Sequence, residues 1–218
     1  MLNLNKQNIL NYLFISLGFF ASISIFISDI LIFGIIIIWI IDRGWKRKWK
    51  LIKSCHFSIA IIMFLVFYVL GLIWGDLNIY SLKWIREQSL LIIIPIMISM
   101  SIPKKIIQKV LIAFLAGMCI NAIMSIGSYL DFWTVRYHHY PNENVAVGFL
   151  DHFDHSVFLA FSTMILIAKF FESNNNKFRG GIAIFILLFI VSLFISHGRA
   201  GQYVFLMILG LFLLIRFI

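Results

Sequence analysis

Long apolar runs follow one another along almost the whole chain. A helix needs roughly 20 apolar residues to cross a hydrocarbon core about 30 Å thick. The first run, 9–41, is too long for one crossing and slightly short for two, and Ser28 and Asp29 interrupt it, so it predicts a hairpin of two short helices. The further runs lie at 57–74, 88–102, 106–130, 155–171, 181–196 and 200–218. We therefore predict that residues 1–218 form a single all-α, polytopic transmembrane bundle of about eight spans.

The composition agrees with this prediction. Hydrophobic residues make up 62% of the chain and charged residues only 12%, whereas about a quarter of a soluble domain is charged. An ordinary water-soluble enzyme, a disordered chain and a secreted disulfide scaffold are excluded. The two cysteines, Cys55 and Cys119, lie in or beside apolar runs, so they predict neither a disulfide framework nor a thiolate metal site.

The basic residues indicate a topology. The chain has 18 Lys and Arg and a net charge of +9, and cytoplasmic loops are enriched in such residues. A cytoplasmic N-terminus, with an uncleaved first span, places all but four of them at inner loops or inner helix ends. We therefore attribute the net charge to membrane orientation and predict no nucleic-acid partner. The inner residues include a dense stretch after the first run: Arg43, Lys46, Arg47, Lys48, Lys50 and Lys53.

Four basic residues remain on the outer side: Lys83, Arg86, Arg136 and Arg199. Inserting a cationic side chain at membrane depth costs roughly 2.5–3.5 kcal/mol of free energy on insertion scales, so such a residue is expected to have an ion-pair partner or a functional role. In segment 76–88, Lys83, Arg86 and Glu87 share one face at helical spacing. The segment could be an interfacial helix whose charges reach water, or a cationic face for an anionic headgroup or a pyrophosphate.

Arg199 lies in the sequence SHGRAG at 196–201, between two apolar runs, with no acidic residue nearby. Gly198 and Gly201 could simply give an ordinary tight turn the backbone freedom it needs. Turns between spans seldom carry an unpaired arginine, however, and a guanidinium binds phosphate through two parallel hydrogen bonds. We therefore predict that Arg199 binds phosphate or diphosphate.

Two histidines, His152 and His155, stand three residues apart at the start of the sixth span, with Asp151 and Asp154 interleaved. Zinc can be bound by such ligands, but a thiolate and an HExxH motif are missing, so we predict no metal. Asp154 is expected to cap the following helix. We also consider His152, His155 and His197 as the lining of a polar cavity on the outer side.

The order of these features resembles the N-terminal half of the bacterial O-antigen ligase family. The hairpin with a basic exit is followed by an apolar span that ends in GLIW at 71–74, and Lys83 then precedes the next span. The segment SHGRAG, which opens a Leu/Phe-rich span, is similar to the Ser-x-x-Arg-like motif at the start of that family's ligase domain. The resemblance covers most of the chain.

This resemblance implies a protein of about twelve spans, of which the chain would be the N-terminal part. It implies a metal-independent, inverting glycosyltransferase without a cofactor in the bacterial inner membrane. Such enzymes move a glycan from an undecaprenyl-diphosphate carrier to lipid A–core at the periplasmic face. Carried over, Lys83, Arg136 and Arg199, with Arg86 beside them, would hold the diphosphate. The proposed catalytic base of the family lies in a later periplasmic loop, so it is not assigned to a residue of this chain.

Two alternatives remain open. An O-antigen polymerase uses the same donor with another acceptor, and a transporter or non-enzymatic subunit would belong to a different class. Transporters usually carry polar or broken helices near the bilayer midplane. The midspan candidates are few, namely Asn121, Ser125 and Gly127 in the fifth span. Because the polar groups cluster on the outer side instead, we favour chemistry at the membrane surface.

Overall fold

A computed structural model describes residues 2–74, 85, 88–133, 148–196 and 198–217. All regular structure in this part of the chain is helical, which confirms the predicted all-α fold class. The elements in chain order are α1 (Leu2–Phe20), α2 (Ile25–Ile41), α3 (Trp45–Ser54), α4 (His56–Trp74), a 3₁₀ turn (Leu90–Ile92), α5 (Ile93–Ser99), α6 (Lys104–Tyr129), α7 (His152–Glu172), α8 (Asn176–Ile195) and α9 (Arg199–Phe217).

Five of the described helices, α4 and α6 to α9, are long and apolar enough to cross a membrane. A sixth span results if α2 and α3, which meet at a bend of 119°, count as one broken span. These five helices correspond to the predicted spans at 57–74, 106–130, 155–171, 181–196 and 200–218. The predicted span at 88–102 corresponds to a shorter apolar helix, Leu90–Ser99. The apolar helices indicate a multi-pass membrane protein, while the count of eight and the orientation stay predictions.

The break in the first apolar run does not lie where the sequence placed it. The turn occupies residues 21–24, and Ser28 and Asp29 belong to α2. Ser28 fits inside the helix because its hydroxyl donates to the Ser24 carbonyl at 2.9 Å, a local bond that serine can form in a helix. Ser24 lies just before α2, and its Oγ accepts from the N–H of Ile27 at 3.4 Å, as the side chain of an N-cap residue does. The break predicted at Ser28 and Asp29 was therefore wrong.

The chain divides into two compact units, residues 1–15 with 29–109 and residues 16–28 with 110–218. In the first unit, the corner between α2 and α3 is held by Lys48, whose side chain is only 1% exposed. Its Nζ donates to the carbonyls of Trp39, at 2.6 Å, and Asp42, and lies 3.2 Å from the Asp42 carboxylate. The rings of Trp39 and Trp45 flank the ammonium at 5.2 and 5.1 Å.

Two further features complete this corner. Gly44 has a φ of 121°, a left-handed conformation that glycine adopts without steric cost. The indole nitrogen of Trp39 donates to Ser99 Oγ at 2.7 Å, which ties α2 to α5. The five other cations of this stretch are exposed: Arg43, Lys46, Arg47, Lys50 and Lys53.

In the second unit, α7 packs against both α8 and α9. The core of this unit includes Leu159 and Ala160 of α7 and Phe189 and Leu193 of α8. Residues of α6 and α9 belong to the same cluster, which includes Met118, Ala122 and Phe205. This packing fixes the position of the turn between α8 and α9, where the sequence predicts the phosphate-binding arginine.

Candidate functional site

Arg199 is the first residue of α9, and its side chain is exposed. It forms no hydrogen bond or ion pair with any residue that the structure describes. The first turn of α9 contains no acidic residue, and the amino end of a helix carries a partial positive charge. The guanidinium and the helix end therefore offer an anion a positive site that no described side chain occupies.

The glycines beside Arg199 bring α9 close to α7. A Cβ on Gly198 would overlap the side chain of Ser156, and a Cβ on Gly201 would overlap the Ser156 backbone. Gly201 lies within α9, so close helix packing, rather than the freedom of a turn, explains its lack of a side chain. Small residues allow helices in membranes to approach in this way. The packing places Arg199 near the first turns of α7.

Gln202 has a role that the sequence reasoning missed. Its side-chain amide donates to the carbonyls of Leu193 and Ser196, both at 3.3 Å. These acceptors lie at the carboxyl end of α8, where a helix leaves carbonyl groups without partners. The Ser196 hydroxyl also donates to the Leu193 carbonyl at 2.8 Å. The segment from Ser196 to Gln202 thus closes α8 and starts α9. The available signal in the sequence was the polar Gln202, which directly follows Gly201.

The two histidines of α7 occupy different environments. His155 is completely buried; its Nε2 lies 3.3 Å from Ser192 Oγ, and its Nδ1 has no partner among the described residues. His152 is partly exposed, and its Nδ1 lies 2.6 Å from Asp151 Oδ1. His155 therefore packs against α8, whereas His152, the first residue of α7, lies beside Asp151 and is partly exposed. The cavity proposed for the histidines stays a prediction.

The expected cap of α7 was wrong. The helix begins at His152, so Asp151 takes the cap position, although its side chain makes no capping hydrogen bond. Asp154 lies inside the first turn instead. An acid there is favourable because the amino end of a helix is positive. An acidic residue anywhere in the first turn gives a similar sequence pattern, which is why the exact cap was misplaced.

Several predicted site residues lie outside the described part of the chain: Lys83, Arg86, Arg136 and His197. Their predicted roles in diphosphate binding, and that of His197 in a polar cavity, stay predictions. Among the residues that the structure does describe, no group of three His, Cys, Asp or Glu side chains could hold a metal ion.

Asn121, a midspan polar residue of α6, joins two non-helical segments. Its amide nitrogen donates to the Ser22 carbonyl at 3.0 Å, and its Oδ1 accepts from the N–H of Phe149 at 2.7 Å. Asn121 is completely buried, and a Cβ on Gly148 would overlap its side chain. A buried backbone polar group needs a hydrogen-bond partner. Asn121 supplies such partners to the 21–24 turn and to the segment before α7.

The other midspan candidates of α6 differ in their surroundings. Gly127 lies against the ring of Trp133, where a Cβ would overlap the indole. The indole nitrogen donates to the Met124 carbonyl at 2.9 Å. Ser125 is buried, and its hydroxyl has no partner within the described residues. Of the three midspan candidates, Asn121 thus binds backbone groups and Gly127 allows close packing.

No protein-family model, no curated protein and no solved structure matches this chain significantly.

Proposed function

We propose that this chain is part of a bacterial inner-membrane glycosyltransferase of the O-antigen ligase type. The enzyme would transfer a glycan from undecaprenyl diphosphate to lipid A–core at the periplasmic face. The observation that carries the proposal is Arg199, an exposed cation at the amino end of a membrane-length helix, with no partner among the described residues. The order of motifs along the chain, which resembles that family, supplies the reaction.

The proposed mechanism follows from the charge of the leaving group. When the bond between the sugar and the diphosphate breaks, the bonding electrons stay on the phosphate oxygen. A guanidinium already in place stabilises that developing charge, an effect worth a few kcal/mol, on the order of 3, for one well-placed donor. Arg199 would contact the diphosphate through two parallel hydrogen bonds. Lys83, Arg86 and Arg136 would add positive charge, while the polyprenyl chain would lie between apolar helices.

The packing of the α8–α9 turn supports this role. Gly198 and Gly201 hold the start of α9 against Ser156, and Gln202 binds the end of α8. A cation on such a well-packed corner needs little rearrangement to meet a phosphate, which is what electrostatic catalysis requires. A transporter is less well supported, because Asn121 is engaged by backbone groups on both sides of its amide.

The proposal is tested by complementation of a ligase-deficient bacterial strain with the longest natural form of the protein. Arg199→Ala should abolish the ladder of lipid A–core carrying glycan, and Arg199→Lys should restore only part of it, because lysine keeps the charge but not the planar fork. The matched control is Arg216→Ala at the opposite end of α9, where the guanidinium lies over the ring of Phe171. This control should leave the ladder intact.

An immunoblot and a second, polymerase-deficient strain complete the test. Immunoblots of membrane fractions establish that each variant is inserted in equal amount. A normal ladder from Arg199→Ala would remove Arg199 from the site. If the unmodified protein fails in this strain but restores long chains in a polymerase-deficient strain, the polymerase alternative, which uses the same donor, replaces the ligase.

A further inference from the structure

A long apolar groove runs along the second unit between α6 and α8, away from Arg199. Its volume is about 700 Å³, within the range of about 300–1,000 Å³ that is typical of ligand pockets. Leu166 of α7 contributes to the lining. One wall is formed by Ile112, Leu115, Ala116, Cys119 and Ile120 of α6, and the other includes Phe178, Gly181, Ile182, Phe185 and Phe189 of α8.

The length of this groove fits one leaflet of a bilayer. The α8 wall extends from Phe178 to Phe189, which at the helical rise corresponds to about 17 Å. The α6 wall extends from Ile112 to Ile120, or about 12 Å by the same rise. Half of a hydrocarbon core of about 30 Å is about 15 Å. A single acyl chain that enters from one leaflet would therefore fill the groove along its length.

The mouth of the groove is cationic. Lys177 lines it, next to the connector between α7 and α8. Nearby, Glu172 forms an ion pair with Lys169, and the guanidinium of Arg179 lies over the ring of Phe170. Lys177 forms no ion pair with a residue that the structure describes, and the first turn of α8 has no acidic residue. The charge left at this end is positive.

We propose that this groove binds an anionic phospholipid, with one acyl chain between α6 and α8 and the phosphate at Lys177. Basic pockets between membrane helices are suited to anionic lipid headgroups. The groove has room for a chain because Gly181 presents no side chain: a Cβ built there meets no atom within 4 Å. This inference does not depend on the proposed glycosyltransferase activity, since it concerns other residues and needs no catalytic turnover.

Neighbouring glycines provide a matched pair for the test. Gly180 and Gly181 are both helical and exposed, and a Cβ on either meets nothing within 4 Å, but only Gly181 lines the groove. The chain is purified in detergent, and native mass spectrometry measures retained phosphatidylglycerol and phosphatidylcholine with identical acyl chains. We expect Gly181→Leu to lose most of the bound lipid and Gly180→Leu to keep it. Ala116→Phe blocks the groove from the opposite wall and serves if Gly181→Leu does not fold.

Lys177→Gln tests the headgroup. The unmodified chain should retain phosphatidylglycerol about fivefold more than phosphatidylcholine, the effect of about one cation near a membrane surface, and Lys177→Gln should remove this preference. Inorganic phosphate should not displace the lipid. The proposal is overturned if folded Gly181→Leu and Gly180→Leu retain equal amounts of lipid, or if the preference survives Lys177→Gln. It is also overturned if the groove is protected by a second copy of the chain, seen as a lipid-free dimer.

Discussion

The backbone of Ser156 on α7 lies directly against Gly201 of α9, so that a Cβ on Gly201 would overlap the Ser156 carbonyl group. This approach lies near the amino ends of two membrane-length helices. Because Gly201 is only two residues from Arg199, this contact also fixes the position of the Arg199 backbone and hence of its side chain. Close packing at a small residue is a main source of helix association in membranes, which makes this position sensitive to a single methyl group.

Gly201→Ala should therefore destabilise the protein, and Gly210→Ala on the same helix should not. We expect Gly201→Ala to lower the free energy of unfolding by about 1–3 kcal/mol, the usual cost of overpacking. A Cβ on Gly210 meets nothing within 4 Å, so its alanine variant should be neutral or more stable by up to about 1 kcal/mol. Circular dichroism during heating in detergent micelles measures both. Equal shifts of the two melting temperatures would contradict the packing described.

Asn121→Leu should destabilise the second unit. The change leaves the Ser22 carbonyl and the Phe149 N–H without their described partner, and an unpaired buried polar group costs about 1–3 kcal/mol. The control is Asn8→Leu, since Asn8 is exposed on α1. Unfolding in mixed detergent and sodium dodecyl sulfate compares the two. A midpoint for Asn121→Leu that matches the control would show that the amide is not needed.

Lys48→Met should loosen the corner between α2 and α3. The methionine retains much of the side-chain volume but cannot donate to the carbonyls of Trp39 and Asp42, and it leaves the Asp42 carboxylate unpaired. Because Asp42 is partly exposed, the expected loss is about 2–3 kcal/mol, at or below the lower end for a fully buried pair. Lys50→Met, at an exposed position of α3, is the control. Tryptophan emission should shift to longer wavelength only in Lys48→Met.

Labelling from outside the cell tests the predicted topology. In a background with Cys55→Ser and Cys119→Ser, Glu143→Cys and Asn174→Cys should react with an impermeant maleimide from opposite sides of the membrane. Position 174 is chosen because Asn175 caps α8, accepting from the N–H groups of Lys177 and Phe178. Labelling of both thiols from the same side would overturn the orientation derived from the basic residues.

The natural Cys55 thiol, just before α4, should react at lower pH than an ordinary cysteine. A hydrogen bond from the backbone N–H of Ser58 lowers the pKa of Cys55 from its usual value. Because the thiolate is the nucleophile, a lowered pKa extends reaction toward acidic pH. The pH of half-maximal alkylation, measured by mass spectrometry, should be lower for Cys55 than for the thiol introduced by Asn174→Cys in the exposed connector. The reverse order would contradict this assignment.

The spans could be predicted from the sequence because the membrane imposes a length on every apolar helix that crosses it. The positions of the breaks between spans were harder to predict from the sequence. Ser24 caps α2 and Ser28 fits inside it, yet both are serines in an apolar run, so residue type alone does not distinguish a cap from a helical position. Only the bond that each hydroxyl makes separates them.

Arg199 could be singled out from the sequence by its charge, whereas the role of Asn121 depends on residues that are distant in the sequence. Arg199 has no acidic residue near it in the sequence, and the structure shows it exposed with no partner among the described residues, while its predicted phosphate binding stays a prediction. The role of Asn121 depends on Ser22 and Phe149, which no local pattern connects to it. One signal was available: Gly117, Asn121 and Ser125 recur every fourth residue and are all buried, a spacing typical of close helix packing.

The bond between Asn121 and Ser22 also constrains how the protein is made. The two residues are 99 positions apart, and a ribosome adds roughly 5–20 residues per second. The 21–24 turn is therefore synthesised about 5–20 s before Asn121, whose side-chain amide donates to the Ser22 carbonyl. During that interval, the Ser22 carbonyl must be solvated by water, lipid headgroups or the insertion machinery. The 21–24 turn is thus synthesised early, but it can form this bond only after α6 has been synthesised.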